Sequence, residues 1–485
     1  MKQKKTNVKI VTFTVFIATF MTAIEATILS TAMPTISSLL KGGEIMSWVF
    51  SIYLLTNAMM TPIYGKLTDT IGRKPVFQIG LFFFMLGSLL CGFSTSMLQL
   101  IIFRAIQGIG AGAIMPVALT IIADIYAPEK RAKILGLNSA AWGIASVVGP
   151  LAGGFIVDTI GWHWIFFVNL PIGILLMILL QTFLIEPKHK GVSGAVDIKG
   201  SLVLMSLLLA FLYGFQTISD NGGVGILTIV CFALSVLLAF IFIQVENKAV
   251  DPVIPMFLLK NKKFVLINLL AALISGFLMG IDVYIPMWMQ GLLGVKAAVG
   301  GLSLTPLSIT WVIGSFLAGK LLAKRSTQVS LGSGVLIILS GAIMMAFASL
   351  NTSYLVFCLI SAWIGLGMGI TITVCTVNAQ TTVTSDLTGV ATSFNTLCRT
   401  LGQTIMISIY GVILNCQISE SIANNGHGYT RAQIDDVSNH VLADKMPLEQ
   451  LNDLRVILFD GLHIVFVVSV GLLVVGFLIN LLIKD

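Results

Sequence analysis

Gly65-Lys66-Leu67-Thr68-Asp69-Thr70-Ile71-Gly72-Arg73-Lys74-Pro75 returns in worn form 254 positions later as Gly319-Lys320-Leu321-Leu322-Ala323-Lys324-Arg325. Each copy joins one long apolar run to the next. The rest of the chain keeps nearly the same interval. Gly108, Gly110 and Gly112 recur as Gly365, Gly367 and Gly369, the Gly136 to Gly149 spacing recurs as Gly389 to Gly402, and Glu25 is answered by Asp282. Repeated blocks of apolar helices are how secondary transporters are built. The interval therefore predicts two six-helix halves, each carrying one acid inside an apolar run.

Hydrophobic residues make up 56 % and charged residues 10 % of 485 positions, which excludes an ordinary soluble domain. Stretches long enough to cross hydrocarbon as helix occur at 8–33, 46–69, 75–95, 97–122, 131–158, 162–185, 197–219, 224–246, 263–289, 298–322, 328–349, 353–380, 387–414 and 457–483. The prediction is an all-α membrane protein with fourteen spans. Its parts are an N-terminal six-helix bundle over 1–186, linkers with two inserted helices over 187–262, and a C-terminal bundle over 263–485. The two inserted helices have no counterpart in the repeat. A hydrophilic loop over 416–455 is long enough for a short helical cap or for plain mobility.

Lys2, Lys4, Lys5 and Lys9 before the first run imitate a secretory leader. An acid within the run and thirteen spans after it point instead to an uncleaved first span. With the amino terminus inside, the inner segments hold sixteen Lys and Arg, among them Lys66, Arg73, Lys130, Arg131 and Lys320. The outer segments hold Lys41, Lys296, Arg431, Lys445 and Arg455. This asymmetry places both termini in the cytoplasm. It also accounts for the net charge of +7 through topology and anionic lipid, with no nucleic acid as partner. Five of six cysteines lie inside apolar spans without metal-ligand or disulfide spacing, and no cofactor is expected.

A carboxylate at membrane depth is costly enough to mark function. Burial tightens a carboxylate's hold on a proton and a nearby cation loosens it, so cationic cargo and proton can compete for one acid. Glu25 and Asp282 are read in this way, or as caps on helices broken near Pro34 or Pro286. Arg104, in the fourth span, must face the bundle interior, with Glu25 as its partner. Arg399 lies mid-span in the thirteenth run and either pairs with Asp282 or neutralises an empty cavity; both readings stay open. Asp69 is placed to meet Arg73 or a helix amino terminus of the other half, with Gly65 and Gly72 permitting close approach. Asp124 and Asp460 read as boundary charges. Gly149-Pro150 bends its helix and Gly153-Gly154 pack it tightly. Trp48, Tyr53, Tyr284 and Trp288 supply aromatic faces at cavity depth, suited to lipophilic cations.

These motifs resemble the major facilitator superfamily, and fourteen spans match its drug:proton antiporter branch. Gly65 to Pro75 is similar to its loop signature, with Thr70 where a basic residue is common. Arg104 with Gln107, Gly108, Gly110 and Gly112 is similar to its fourth-helix signature. Gly149-Pro150-Leu151-Ala152-Gly153-Gly154 resembles the exporter signature, and Gly161-Trp162-His163-Trp164 with Asn169-Leu170-Pro171 resembles a pattern of the fourteen-helix branch. The resemblance implies proton coupling through Glu25, Asp282 and Arg104. It also implies gating through Gly65, Asp69, Gly72, Arg73, Gly149, Pro150, Gly153 and Gly154.

The expected function is efflux of lipophilic, often cationic drugs from a bacterial cell, by a monomer in the plasma membrane driven by the proton motive force. Export of a single endogenous solute is the alternative, and sodium in place of protons stays open. No nucleophile with its base and no phosphate-binding loop is present, so an enzyme is not expected.

Overall fold

In hydrocarbon a backbone has only itself to bond to, so each apolar run folds as helix. The computed structural model describes residues 6–40, 46–186, 197–221, 224–249, 252–295, 297–425, 429–430, 433–434, 437 and 446–483. Its helices are α1 (Val8–Leu39), α2 (Met46–Ile71), α3 (Arg73–Gly92), α4 (Met97–Ile125), α5 (Pro128–Thr159), α6 (Trp164–Phe167), α7 (Asn169–Phe183), α8 (Ile198–Asn221) and α9 (Ile226–Glu246). They continue as α10 (Met256–Lys260), α11 (Lys262–Gly291), α12 (Ala297–Leu302), α13 (Thr305–Lys324), α14 (Thr327–Ala346), α15 (Tyr354–Thr381), α16 (Thr388–Asn425) and α17 (Leu448–Leu482). Among the described residues twelve helices are long and apolar enough to cross a membrane. Two more, Met46–Ile71 and Pro128–Thr159, have 26 and 32 residues, and with them the chain is compatible with fourteen spans.

Local chemistry sets the ends. The side chains of Asn7, Ser96 and Ser326 accept from Ile10 N, Gln99 N and Val329 N to cap α1, α4 and α14. Gly72, at φ +99°, turns the chain between α2 and α3. Both α1 and α11 run unbroken past Pro34 and Pro286, so neither Glu25 nor Asp282 caps a broken helix. Helix α16 reaches Asn425 and α17 begins at Leu448, so helix enters the long hydrophilic loop from both sides. Most of 426–445 lies outside the described residues.

The chain divides into two compact units: Met1–Leu212, Cys231–Val265 and Thr376–Leu397 in unit 1, and Tyr213–Val230, Leu266–Cys375 and Cys398–Asp485 in unit 2. Within each unit the same glycines make the same contacts. In unit 1 a Cβ on Gly108 would meet Tyr53 O of α2, and one on Gly110 would meet Phe84 N and Gly80 O of α3. In unit 2 the recurring Gly365 faces Leu307 O of α13 and Gly367 faces Gly334 O of α14. Gly149 abuts Thr27 of α1 as Gly402 abuts Ala272 of α11. The repeat read from the sequence is thus a repeated set of close helix crossings, made possible by missing side chains.

An alanine at Gly110 presses a methyl on backbone atoms that cannot rotate away, whereas an added Cβ at Gly471 has nothing within 4 Å. Overpacking costs about 1–3 kcal/mol. The thermal unfolding midpoint of Gly110→Ala is expected to fall. That of Gly471→Ala holds or rises, since the change removes ~1 kcal/mol of glycine penalty in a helix.

Candidate functional site

Glu25 and Arg104 meet inside unit 1. Arg104 Nη1 donates to Glu25 Oε1 at 2.8 Å, and each side chain is 1 % exposed. Asn169, the first residue of α7, donates to Glu25 Oε2 at 2.7 Å and to Ser88 Oγ of α3 at 2.9 Å. Ser88 in turn donates to Phe166 O at 2.8 Å. Arg104 also donates to Gln107 Oε1 at 2.7 Å and to Val49 O at 3.3 Å, while its guanidinium lies 4.1 Å from the centre of the Tyr53 ring. Both carboxylate oxygens are therefore satisfied by donors, and the arginine is held by an acid, an amide, a carbonyl and an aromatic face.

Beside this cluster lies a cavity of about 90 Å³ between α1, α5, α6 and α7. Phe20, Ile24, Ile156, Ile165 and Ile172 form much of its wall, and Glu25 and Asn169 border it. Its wall is mostly apolar.

Unit 2 treats its charges differently. Asp282 on α11 is exposed and makes no hydrogen bond or ion pair with another described residue. Arg399 Nε donates to Ser275 Oγ at 3.3 Å and forms no ion pair with Asp282. Tyr284 is 3 % exposed and packs edge-on to Tyr410 at 6.0 Å. Trp288, expected on a cavity wall, is wholly buried among Phe357, Phe459 and Phe466, so here it is core. Tyr53, 6 % exposed, serves Arg104 rather than an open wall. Trp48 is half-buried.

The loop signature forms a second cluster in unit 1. Asp69 accepts from Gly389 N at 3.1 Å and Val390 N at 2.9 Å, at the start of α16. Those N–H groups have no intrahelical acceptor, and the helix dipole favours a negative charge there. Arg73 bridges Asp69 Oδ1 at 3.3 Å and Asp124 Oδ2 at 2.7 Å, and donates to Thr68 O at 2.9 Å. A Cβ on Gly65 would strike Ser393, and one on Gly72 would lie 2.7 Å from Glu186 Oε2. Glu186 accepts from Arg73 N at 2.7 Å and Lys74 N at 3.2 Å, capping α3 from the end of the first bundle. Thr70, where a basic residue was noted as common, donates to Lys66 O at 3.0 Å. Gly149 and Gly153 are buried, and Thr27 Oγ1 beside Gly149 donates to Ala145 O at 3.0 Å. The side chain of Pro150 and the surroundings of Gly154 lie outside the described residues, though α5 runs through both positions.

Asn169, Ser88, Asp124 and Glu186 were not singled out as site residues. Asn169 stood in a quoted pattern, Asp124 was read as a boundary charge and Glu186 as the edge of a linker. The one available signal was a hydrogen-bonding side chain at the edge of an apolar run. Among the described residues no group of three or more His, Cys, Asp and Glu is placed to hold a metal ion.

The profile of the Major Facilitator Superfamily matches residues 15–407. The chain is 37 % identical over 406 residues to the multidrug transporter protein MdtP of Bacillus subtilis (strain 168), covering 83 % of this chain and 74 % of that one. It is 31 % identical over 399 residues to the multidrug efflux pump SdrM of Staphylococcus aureus (strain N315), covering 82 % and 88 %. In fold it is similar to the human organic anion transporter MFSD10, with a TM-score of 0.66 at 13 % identity over 97 % of this chain and 99 % of that one.

Removing one partner of a buried ion pair costs about 3–5 kcal/mol, because the other charge is left without compensation. Glu25→Leu is expected to lower the thermal midpoint sharply, and adding Arg104→Met is expected to recover much of the loss. A double variant no more stable than the single one contradicts the pairing.

Proposed function

Since the chain belongs to the Major Facilitator Superfamily, we propose that it is a proton-coupled antiporter that expels lipophilic, often cationic compounds across the bacterial plasma membrane by alternating access. The observation that carries the reading is the fully buried Glu25, bonded at one oxygen by Arg104 and at the other by Asn169. Relatives named as multidrug transporters supply the class of cargo.

In this reading Arg104 and Asn169 hold Glu25 as a carboxylate while the site is closed. When the bundle opens to the outside, a proton neutralises Glu25, its hold on the guanidinium weakens, and the proton is carried inward. Lipophilic cargo is taken from the inner side, where a vacated carboxylate favours positive charge. Asp282, exposed and without a counter-charge among the described residues, serves as a second acid, so a cycle has room for two protons. Each net charge moved is driven by ~2.3 kcal/mol per 100 mV. Asp69 on the first turn of α16 is the contact broken and remade as access alternates. Both termini then lie in the cytoplasm, and the monomer is the working unit.

The test is efflux of a panel of chemically unrelated lipophilic cations from proteoliposomes under an imposed pH gradient. Several compounds are expected to move, and Glu25→Gln is expected to slow them at least about tenfold, or ~1.4 kcal/mol in the barrier. Movement of only one chemical class points to an exporter of a single endogenous solute, and unchanged rates in Glu25→Gln remove the assigned coupling residue. Asp69→Asn keeps one acceptor oxygen for the two N–H groups of α16 and turns a donor toward the other, so it is expected to lower turnover while leaving the affinity for cargo unchanged.

A further inference from the structure

Ser88 of α3 touches neither Arg104 nor Glu25, yet the packing of unit 1 holds it at a fixed place beside them. Along the seam of α3 with α6 and α7, a Cβ on Gly92 would meet the ring of Phe167 and one on Gly173 would meet Met85 Sδ. Further along, Gln78 donates to Met177 O at 3.3 Å and Lys74 to Gln181 O at 2.6 Å. Residue numbers fall on one side as they rise on the other, so the helices run antiparallel and Ser88 lies opposite Asn169. A Cβ on the neighbouring Gly87 would strike Gln107 N of α4, which presses α3 against a second helix at the same level. Ser88 is wholly buried there.

The hydroxyl of Ser88 has one hydrogen, and a carbonyl can only accept. At 2.8 Å from Phe166 O that hydrogen is committed, so Ser88 Oγ meets its other neighbour as an acceptor. Asn169 therefore turns its NH2 toward Ser88, at 2.9 Å, and the same nitrogen gives its second hydrogen to Glu25 Oε2 at 2.7 Å. With the amide turned over, its oxygen would face lone pairs on Ser88 and on the Glu25 carboxylate at once. Freeing the hydroxyl to donate to that oxygen would leave Phe166 O without this donor, and Phe166 is wholly buried, out of reach of water. An N–H aimed at a carboxylate favours its charged form, and a carbonyl in that place favours the acid. We propose that Ser88 is a positioning residue: by donating to Phe166 O it fixes the Asn169 amide with its N–H groups toward Glu25, and so biases that acid to its ionised form.

The role rests on Glu25 as the proton carrier and adds a control on its proton affinity besides Arg104. Three titratable groups of the described residues act on Glu25 or its field: Arg104 of α4, Tyr53 of α2 and Cys91 of α3. On the cavity side α5 and α6 bring Ala152, Ile156 and Ile165, none of which titrates. Ser88 carries no charge and reaches Glu25 through the amide.

Infrared titration of the purified full chain tests the assignment, with the protonated carboxyl band of Glu25 identified by its loss in Glu25→Gln. In Ser88→Ala the pH at which half of that band remains is expected to rise by about one unit, or tenfold in proton affinity. Ser88→Thr, which keeps the hydroxyl, is expected to restore the wild-type midpoint. In an Asn169→Ala background, adding Ser88→Ala is expected to move nothing, because the amide through which Ser88 acts is gone. A midpoint unmoved or lowered in Ser88→Ala overturns the role, and so does a shift that persists without the amide, since Ser88 would then act by another route. Should Ser88→Ala fail to fold, Ser88→Cys, a weak donor and weak acceptor, must raise the midpoint in the same direction, and an unmoved midpoint there contradicts the role equally. A Glu25 band that never appears on acidification removes the proton carrier itself, whereas a band that titrates without responding to Ser88 removes the positioning role alone.

Discussion

The ion pair of Glu25 with Arg104 constrains everything around it. Two opposite charges, each 1 % exposed, leave water only if every remaining donor and acceptor finds a partner. That demand recruits Asn169 from α7, Ser88 from α3, Val49 O and Tyr53 from α2, and Gln107 from α4 itself. Five helices, α1, α2, α3, α4 and α7, must therefore meet at one depth, and Gly108 and Gly110 let α4 come close enough to α2 and α3 for that. A buried pair is seldom the most stable solution for a core, since apolar side chains of similar size often do as well or better. In the proposed reading, its presence in the middle of a membrane bundle marks a group that changes state.

The two halves share a scaffold and differ in charge. The glycine contacts of α4 on α2 and α3 are repeated by α15 on α13 and α14, and that of α5 on α1 by α16 on α11. The acids recur as Glu25 and Asp282, but the arginines do not follow the repeat. Arg104 has Ser361 at its equivalent step, while Arg399 stands where the first half has Ser146. Unit 1 consequently neutralises its acid by direct contact, and unit 2 leaves Asp282 exposed with Arg399 bonded to Ser275. A duplicated bundle that repeats its packing but not its charges gives the two acids different surroundings.

Much of this was legible in the residues, because apolar length and glycine interval act locally and survive in one sequence. The all-helical architecture and the Glu25 to Arg104 contact both follow from the cost of charge in hydrocarbon. What could not be read were partners fixed only by the tertiary fold. Asn169 lies 144 positions from Glu25, and Glu186 lies 113 from the Arg73 amide that it caps. Aromatic residues were the weakest guide: Tyr53 and Trp288 suit a cargo wall by type, yet one lies under a guanidinium and the other is enclosed by phenylalanines. Helix ends were blurred where polar residues extend a helix past its apolar run, as α16 and α17 do.

The central claim is that protons and cargo exchange through Glu25. Its most direct test follows the pH inside sodium-free vesicles while a cargo gradient, with no imposed pH gradient, drives turnover. The account requires proton movement opposite to the cargo in the wild type and its loss in Glu25→Gln. Cargo movement with a constant internal pH, or proton movement undiminished in that variant, contradicts it.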